Sequence, residues 1–415
     1  MDEAKDVVVV GAGQAGLSVS YLLSQAGIDH MVLERGKIGE SWRSQRWDSF
    51  HLNTPNWSNG LTGMEFHPEE PDRFSDYGKL IAYFENYASK FELPIRQKTA
   101  VNSLEGTATG GYVLKTENTT YHANAVVMAA GSMSRPKVPD VLKSLPDDIL
   151  SLTAGSYRNS ALLPDGAVLV VGSGQSGCQI VEDLLDAGRK VYLCASRVGR
   201  VPRVYRGREI FKWWREMNFF EVRVEELDDT SIQFAPQPQV SGTNGGHTVS
   251  LQSLARDGAV LLGRLRGVEG YLLELGDNLR ECIEFANEKA WAFKQQIDDF
   301  IEQNGIVAEP PMPDLGEPAL PDLNGSDGWT TLDLRKSGVS SVIWCTGFDA
   351  DWSWVHLDIF DDRGHPRHQA GITYSPGLYV IGFPWISKRK SGILYGVSED
   401  AANIVNHIAT YLQLS

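Results

Sequence analysis

Val7-Val8-Val9-Val10-Gly11-Ala12-Gly13-Gln14-Ala15-Gly16, near the start of the chain, is an unbroken apolar run that feeds a glycine-rich turn. Consecutive β-branched residues of this kind read as a strand buried on both faces, as in a parallel sheet. The turn has G-x-G-x-x-G spacing. Its first glycine permits the tight turn, its second lets backbone N–H groups approach a pyrophosphate, and its third lets a helix pack against the strand. The positive end of that helix then faces the phosphates. One such match alone is weak evidence, because glycine-rich turns are common.

The chain repeats the device. Val168-Leu169-Val170-Val171-Gly172-Ser173-Gly174-Gln175-Ser176-Gly177 is again an apolar strand running into the same turn. Each third glycine is followed by another at one interval, Gly16 to Gly27 and Gly177 to Gly188, and then by a second strand, His30–Leu33 and Lys190–Leu193. The segments between, Leu17 to Ala26 and Cys178 to Ala187, are apolar at helical spacing and free of proline. Strand, turn, helix and strand, twice at one spacing, predict two dinucleotide-binding units. The expected architecture is α/β, with two Rossmann-like domains and the second inserted in the first. Residues 1–160 and 339–415 form the first unit, and 161–338 the second, which contains an insertion at about 212–327.

The copies differ where a ribose would sit. The second strand of the first copy ends in Glu34, a carboxylate suited to a ribose diol and repulsive to a 2′-phosphate. The second copy has Ala195 there, followed by Ser196 and Arg197, with Arg200, Arg203, Arg206 and Arg208 beyond. A hydroxyl and a guanidinium in place of the acid predict a grip on a 2′-phosphate, hence NADPH. Four further arginines exceed what one phosphate needs, and some of them are expected to be surface charge. Two more apolar strands end in a small residue and glycine, Ala130-Gly131 and Thr346-Gly347, so that the backbone can turn beside a dinucleotide.

Within the second unit, Lys212 to Gly246 reads as irregular and Glu309 to Asp327 as a proline-rich acidic loop. Gly276 to Asn304 reads as one amphipathic helix with Leu279, Cys282, Ile283, Phe285, Ala286, Trp291 and Ile297 on its apolar stripe. This insertion is expected to cap the active site or to join copies of the chain. A last helix, about Tyr395 to Leu412, returns to the first unit, and Ser391 to Gly396 aims its start at the flavin.

The 415 residues suffice for two or three domains, and a formal charge of −15 argues against nucleic acid as a partner. No apolar stretch reaches membrane-spanning length, and the first strand begins too early for a signal peptide, so a cytoplasmic protein off the membrane is expected. Cys178, Cys194, Cys282 and Cys345 form no CxxC pair and read as buried thiols. The histidines show no metal-ligand spacing, and no metal is expected.

With these glycine loops, Glu34, the Gly39-Glu40-Ser41-Trp42 segment and the small-Gly strand ends, the chain resembles the single-component flavin-containing monooxygenases. It is most similar to their bacterial branch related to plant indole-pyruvate monooxygenases. The resemblance spans nearly the whole chain outside the insertion. It includes a C-terminal block of Pro376 to Gly382, Gly392 to Gly396 and Glu399-Asp400-Ala401. It implies FAD and NADPH as cofactors, with O2 and a small-molecule nucleophile as reactants. NADPH reduces the flavin, O2 adds to form a C4a-hydroperoxyflavin, and a nitrogen- or sulfur-containing substrate takes one oxygen atom. The protein orients the cofactors and excludes water.

Asn53, in His51-Leu52-Asn53-Thr54-Pro55, matches the active-site Asn of that family, although the same residues also make an ordinary turn. Arg35, Ser41, Trp42, Leu52, Val101, Leu394 and Tyr157 join the glycine loops among the implied cofactor contacts. Trp42, Trp47 and Trp57 either wall the flavin or belong to the core. The linker before the second loop departs from the family pattern. Tyr157 is in register, but Thr153 holds the His position, and Asp147 and Ile149 replace Phe and Gly. Lys388-Arg389-Lys390 either holds a substrate carboxylate, as in an amino or keto acid, or is a solvated loop. A Baeyer–Villiger oxygenase, an NADPH oxidase or reductase, and a non-catalytic flavoprotein sensor stand as alternatives.

Overall fold

Val7, Val8 and Val9 have no exposed surface, because the strand that holds them lies inside a parallel sheet. Burying each valine contributes about 1.5 to 3 kcal/mol. A computed structural model describes residues 2–140, 145–235, 237–318 and 328–414. The chain starts with β1 (Asp2–Val10), α1 (Gln14–Gln25), β2 (His30–Leu33), α2 (Glu40–Ser44), α3 (Tyr77–Lys90) and β3 (Ile95–Arg96). It continues through β4 (Ser103–Gly106), β5 (Tyr112–Lys115), β6 (Thr120–Met128) and β7 (Arg135–Pro136).

The second unit holds β8 (Leu150–Thr153), β9 (Ala167–Val171), α4 (Gln175–Asp186), β10 (Val191–Cys194), β11 (Val204–Tyr205), β12 (Arg208–Glu209) and α5 (Ile210–Glu216). After these come α6 (Leu251–Arg256), β13 (Val260–Leu262), β14 (Leu265–Glu269), β15 (Leu272–Leu275), α7 (Leu279–Asn304), β16 (Thr331–Asp333) and β17 (Val339–Trp344). The chain closes with β18 (Phe348–Asp349), β19 (His368–Gln369), β20 (Ile372–Thr373), β21 (Leu378–Val380) and α8 (Leu394–Leu414).

One sheet runs β19-β20-β21-β6-β1-β2-β3, with the β4–β5 hairpin attached to β6. The other runs β13-β10-β9-β17-β8, every neighbour parallel. Val7 lies between His30 and Ala125 in the first sheet, as Val168 lies between Val191 and Ser341 in the second. This is the expected pair of Rossmann-like units. The expected boundaries at 160 and 339 need correction, because β8 and β17 both belong to the second sheet. The run in β17 is buried on both faces, which only an interior position satisfies, and it sits between β9 and β8.

The segment Lys212 to Gly246 is less irregular than the sequence implied. It contains the end of α5 and short 3-10 turns at Val224–Glu226, Thr230–Phe234 and Thr243–Gly245. Two helical turns are too short for periodicity to register. Ile210, Phe211, Trp213 and Trp214 bury one face of α5 against Ile297 of α7. Helix α7 starts at Leu279 and stops at Gly305 in a left-handed conformation, as a C-terminal glycine allows. Trp291, assigned above to its apolar stripe, is 65% exposed. Of the expected loop after it, 309–318 has no regular structure apart from a turn, and 319–327 lies outside the described residues.

The insertion folds back onto its own chain. Val224 N–H donates to Ser387, and Arg389 N–H to Val222, so the insertion covers the loop that leads into α8. Among the described residues no helix is long and apolar enough to cross a membrane.

The loop 239–248 is tied to α4 and the glycine turn before it at three points. The Gln175 side chain exchanges hydrogen bonds with the Val240 backbone, Gln239 donates to the Ser173 carbonyl, and His247 Nε2 lies 2.6 Å from Glu182 Oε1. The Glu182 carboxylate raises the pKa of His247. A raised folded-state pKa contributes stability that is complete below about 6.5, the unfolded value, and is lost as pH rises through the folded value. Substitution H247Q should lower the melting temperature at pH 6 by about 2 °C and have no effect at pH 9. Calorimetry across that range checks this, and a deficit independent of pH would remove the ion pair from the account.

Candidate dinucleotide sites and the contact between them

In both glycine loops, two glycines serve packing and one faces open space. A Cβ on Gly16 would lie 1.8 Å from the Gly11 carbonyl oxygen, and one on Gly177 would lie 1.9 Å from that of Gly172. Gly11 and Gly172 have φ of +110° and +102°, and a Cβ there would strike the carbonyls of Ala129 and Cys345 on the neighbouring strands. Those collisions enforce glycine on packing grounds. Gly13 and Gly174 have ordinary extended backbone and nothing within 4 Å of a built Cβ. They leave room above the helix N-terminus where a pyrophosphate fits. Gly131, with φ of +81°, also faces open space.

Glu34 is buried and anchors the first loop. Its Oε2 accepts from Ala12 N–H at 2.7 Å and its Oε1 from Gly36 N–H at 2.8 Å. Burial raises its pKa, and the two N–H donors oppose that rise. Each oxygen keeps lone-pair capacity for a diol. In the second loop Ser196 takes the equivalent duty. Ser173 N–H, at the position of Ala12, donates to Ser196 Oγ at 3.3 Å, and Ser196 N–H donates to Ser173 Oγ at 2.9 Å. Replacing the acid with a hydroxyl keeps the loop anchored and removes the negative charge.

Arg197 is exposed beside that serine, over the Phe285 ring at 4.6 Å and 3.5 Å from the exposed Glu281. The other arginines are not spare surface charge. Arg200 is buried on Glu317 and Asn287, and Arg203 is buried on Glu209 and over Phe74. Arg206 pairs with Asp298 and Arg208 with Glu216. Glu317 and Asp298 are distant in sequence, whereas Glu209 and Glu216 are near neighbours of the arginines they pair with. The basic triplet is corrected in the same way, since Lys388 and Lys390 each bind both Glu221 and Glu399.

Asn53 lies where the units meet. Its side-chain oxygen accepts from Gln179 Nε2 on α4 at 2.8 Å, and its backbone carbonyl accepts from Arg203 at 2.8 Å. Among the described residues its amide N–H2 has no partner, so Gln179 leaves that group free to donate. Gln179 was missed in the sequence, although a glutamine on the buried face of α4, beside Cys178 and Ile180, is the signal that marks it. Gln14 at the start of α1 donates to the Gly392 carbonyl, which ties the first loop to the segment before α8.

Other expected contacts are taken up internally. Tyr157 is fully buried and donates to Asp183, so its ring is core rather than cofactor wall. The Gln175 amide is held by Val240, and the Leu52 and Leu394 side chains lie in the main core. Val101 packs, half-buried, on the far face of the first sheet. Thr346 donates to the Lys137 carbonyl beside Gly347, whose φ is +96°. Trp47 is core, Trp42 lies under Arg46, and Trp57 packs edge-on to Tyr395. Arg35 is exposed after β2, while Ser41 lies in α2, whose capping Gly39 donates to the Ala12 carbonyl. All four cysteines are free, and Cys345 is half-buried rather than buried.

Residues 8–241 match the family model described as pyridine nucleotide-disulphide oxidoreductase. The chain belongs to that family. It is an oxidoreductase, and FAD and a pyridine nucleotide are its cofactors. The CzcO-like oxidoreductase of Geobacillus kaustophilus is 31% identical, over 99% of this chain and 100% of that protein. A probable indole-3-pyruvate monooxygenase of Arabidopsis thaliana, YUCCA1, is 25% identical over 97% of this chain and 89% of its own. A solved flavin-containing monooxygenase from Stenotrophomonas maltophilia superposes with a TM-score of 0.68 at 17% identity, covering 99% of both chains.

The division of labour among the glycines is testable. Gly13→Ala should fold with a melting temperature near that of the parent while its FAD affinity falls by at least about tenfold, since a methyl enters the open cradle. Gly16→Ala should fail to accumulate as folded protein. Equal damage from both substitutions, read by calorimetry and bound-flavin absorbance, would contradict the division.

Proposed function

We propose that this oxidoreductase is an FAD- and NADPH-dependent monooxygenase that oxygenates a small nitrogen- or sulfur-containing nucleophile. The observation that carries the reading is the Asn53–Gln179 contact, where an amide donor of the first unit meets α4 of the second with its N–H2 unpartnered among the described residues. FAD, when bound, supplies the hydride acceptor and the O2 chemistry. Glu34 and the open face at Gly13 would hold its adenosine and pyrophosphate. Ser196 and Arg197 would hold the adenosine end of NADPH. The Arg197–Glu281 pair is exposed and contributes little, so a phosphate can displace it.

Asn53 would donate a hydrogen bond to the reacting oxygen or to the nicotinamide without supplying a proton. Exclusion of water from the bound flavin would fall to the insertion, whose residues 222–224 are hydrogen-bonded to 387–389 before α8. The cysteines favour oxygen over a disulfide as the electron acceptor. Burial raises the thiol pKa values of Cys178 and Cys345, and no cysteine is paired. A buried neutral thiol is a poor nucleophile.

Two measurements test this. With thioanisole and N,N-dimethylaniline as probes, NADPH turnover under 18O2 should place one labelled atom in product. Asn53→Ala should keep its FAD while H2O2 per NADPH rises severalfold. Stoichiometric H2O2 from the parent enzyme, with no label in either probe, makes it an oxidase instead. Separately, Arg197→Ala should raise the KM for NADPH by about 10- to 100-fold and leave that for NADH unchanged. Equal losses for both coenzymes would sink the phosphate assignment.

A further inference from the structure

The insertion is held to the loop before α8 by two lysines and two glutamates. Glu221 comes from the insertion and Glu399 from α8, and both lysines of the loop touch both. Lys388 lies 2.9 Å from Glu221 and 2.5 Å from Glu399, and Lys390 lies 2.6 Å from each. The lysine side chains are only 16% and 12% exposed, so water and salt screen these pairs less than ordinary surface ones. A backbone clasp runs alongside. Val224 N–H donates to the Ser387 carbonyl and Arg389 N–H to that of Val222, which makes Arg223 and Lys388 the antiparallel pair between the two bonds.

Beneath the clasp the same contact is poorly satisfied. The Arg389 guanidinium lies 4.2 Å over the Phe219 ring, and Tyr395 of α8 meets Phe220 edge-on at 5.2 Å. The Nε of Arg389 and the indole N–H groups of Trp57, Trp214 and Trp385 are buried there with no acceptor. Trp57 packs on Tyr395, Trp214 stacks on Phe219, and Trp385 lies under Arg389, so all four donors belong to one contact. A buried donor without an acceptor forgoes its bond to water and favours any state in which water reaches it. The backbone adds to this. Trp385 has φ of +58°, a left-handed conformation that strains a bulky residue. Asn218, at the end of α5, has φ of +55°, which an asparagine adopts readily at a helix exit. Charge closes this contact, and desolvation and strain oppose the closure.

We propose that residues 218–226 form a gate over the start of α8, latched by Glu221 on Lys388 and Lys390, which opens to admit the small-molecule substrate to the flavin. The proposal rests on the oxygenase reading for what passes, but not for the opening itself. Two opposed contributions of this kind make a two-state element rather than a fixed wall. Glu399 keeps both lysines paired when Glu221 leaves, so opening moves the insertion and leaves the loop in place. Asn218 is the hinge. The loop stays tied to the first glycine turn through Gln14 and Gly392, and the latch touches neither glycine turn.

The first test uses FAD-loaded protein with NADP+ present and needs no turnover. Amide hydrogen exchange, read by mass spectrometry, should show 218–226 and 385–391 exchanging together and ahead of α8. Glu221→Gln should speed both segments about tenfold and leave the rest of the chain unchanged. Asp72→Asn, which breaks the more exposed pair with Lys212, should not. Arg223→Cys with Lys388→Cys sets two thiols at a paired position whose spacing suits a disulfide. Oxidation of that double variant should slow exchange in both segments below the parent, and dithiothreitol should release it. With thioanisole, the oxidised form should lose at least about tenfold in kcat/KM, recovered on reduction, while anaerobic reduction of the flavin by NADPH is unchanged. Exchange in the parent no faster than in α8 overturns the gate. So does a Glu221→Gln effect spread over the whole chain, or full thioanisole turnover by the cross-linked protein. If exchange follows the latch but the parent oxygenates no probe, the gate stands and the oxygenase reading falls.

Discussion

Everything at the two nucleotide sites follows from one close contact, the Cα of each third glycine against the carbonyl of the first. No side chain fits between Gly16 and Gly11, or between Gly177 and Gly172. That approach lets α1 and α4 begin immediately after the sheet strands, so their N-terminal N–H groups open toward the space beside Gly13 and Gly174. The helices start at Gln14 and Gln175, three residues before the apolar periodicity begins. The first turn of each belongs to the ligand as much as to the core. Its residues are therefore small and polar, and periodicity does not reveal them.

The second constraint is the seam between the units. Asn53 reaches α4 through Gln179 and the segment before β11 through Arg203, while the loop 239–248 rests on the Leu52 carbonyl at Gly242. Arg203 is buried with Glu209 and over Phe74, an arrangement that stabilises little in net terms but tolerates the loss of neither partner. Its worth is geometric. It fixes the backbone of the residue whose amide is left free, so the donor direction at Asn53 is set by side chains from the second unit.

The fold was legible because its signals are local and repeated: two apolar strands, two glycine turns, and Glu34 against Ala195 at corresponding places. Glu34 and Ser196 anchor their loops through the corresponding backbone donors, Ala12 and Ser173, which the sequence did not reveal because Ala195, not Ser196, aligns with Glu34. The seam was not legible, because Gln179 and Arg203 matter through a partner, Asn53, far away in the chain. Tyr157 shows the opposite error. Its sequence register fitted a linker motif, yet a hydroxyl bond to Asp183 and complete burial make it part of the core.

Charge reads worst from sequence, and the arginines after β10 show why. Five arginines from Arg197 to Arg208 look like one phosphate clamp, yet four of them close ion pairs that hold β11, β12, α5 and α7 together. Composition counts a cation whether its partner is water, a carboxylate or a ligand. Only geometry distinguishes them, by asking which guanidinium is desolvated and still lacks an anion. Arg197 fails the first condition, being exposed. Arg200 and Arg203 fail the second. Arg389 meets both, where the insertion covers the loop before α8, and it is one of the unsatisfied donors that oppose that contact. Its neighbours Lys388 and Lys390 close the same contact through Glu221 and Glu399, so three consecutive cations act in two opposite senses.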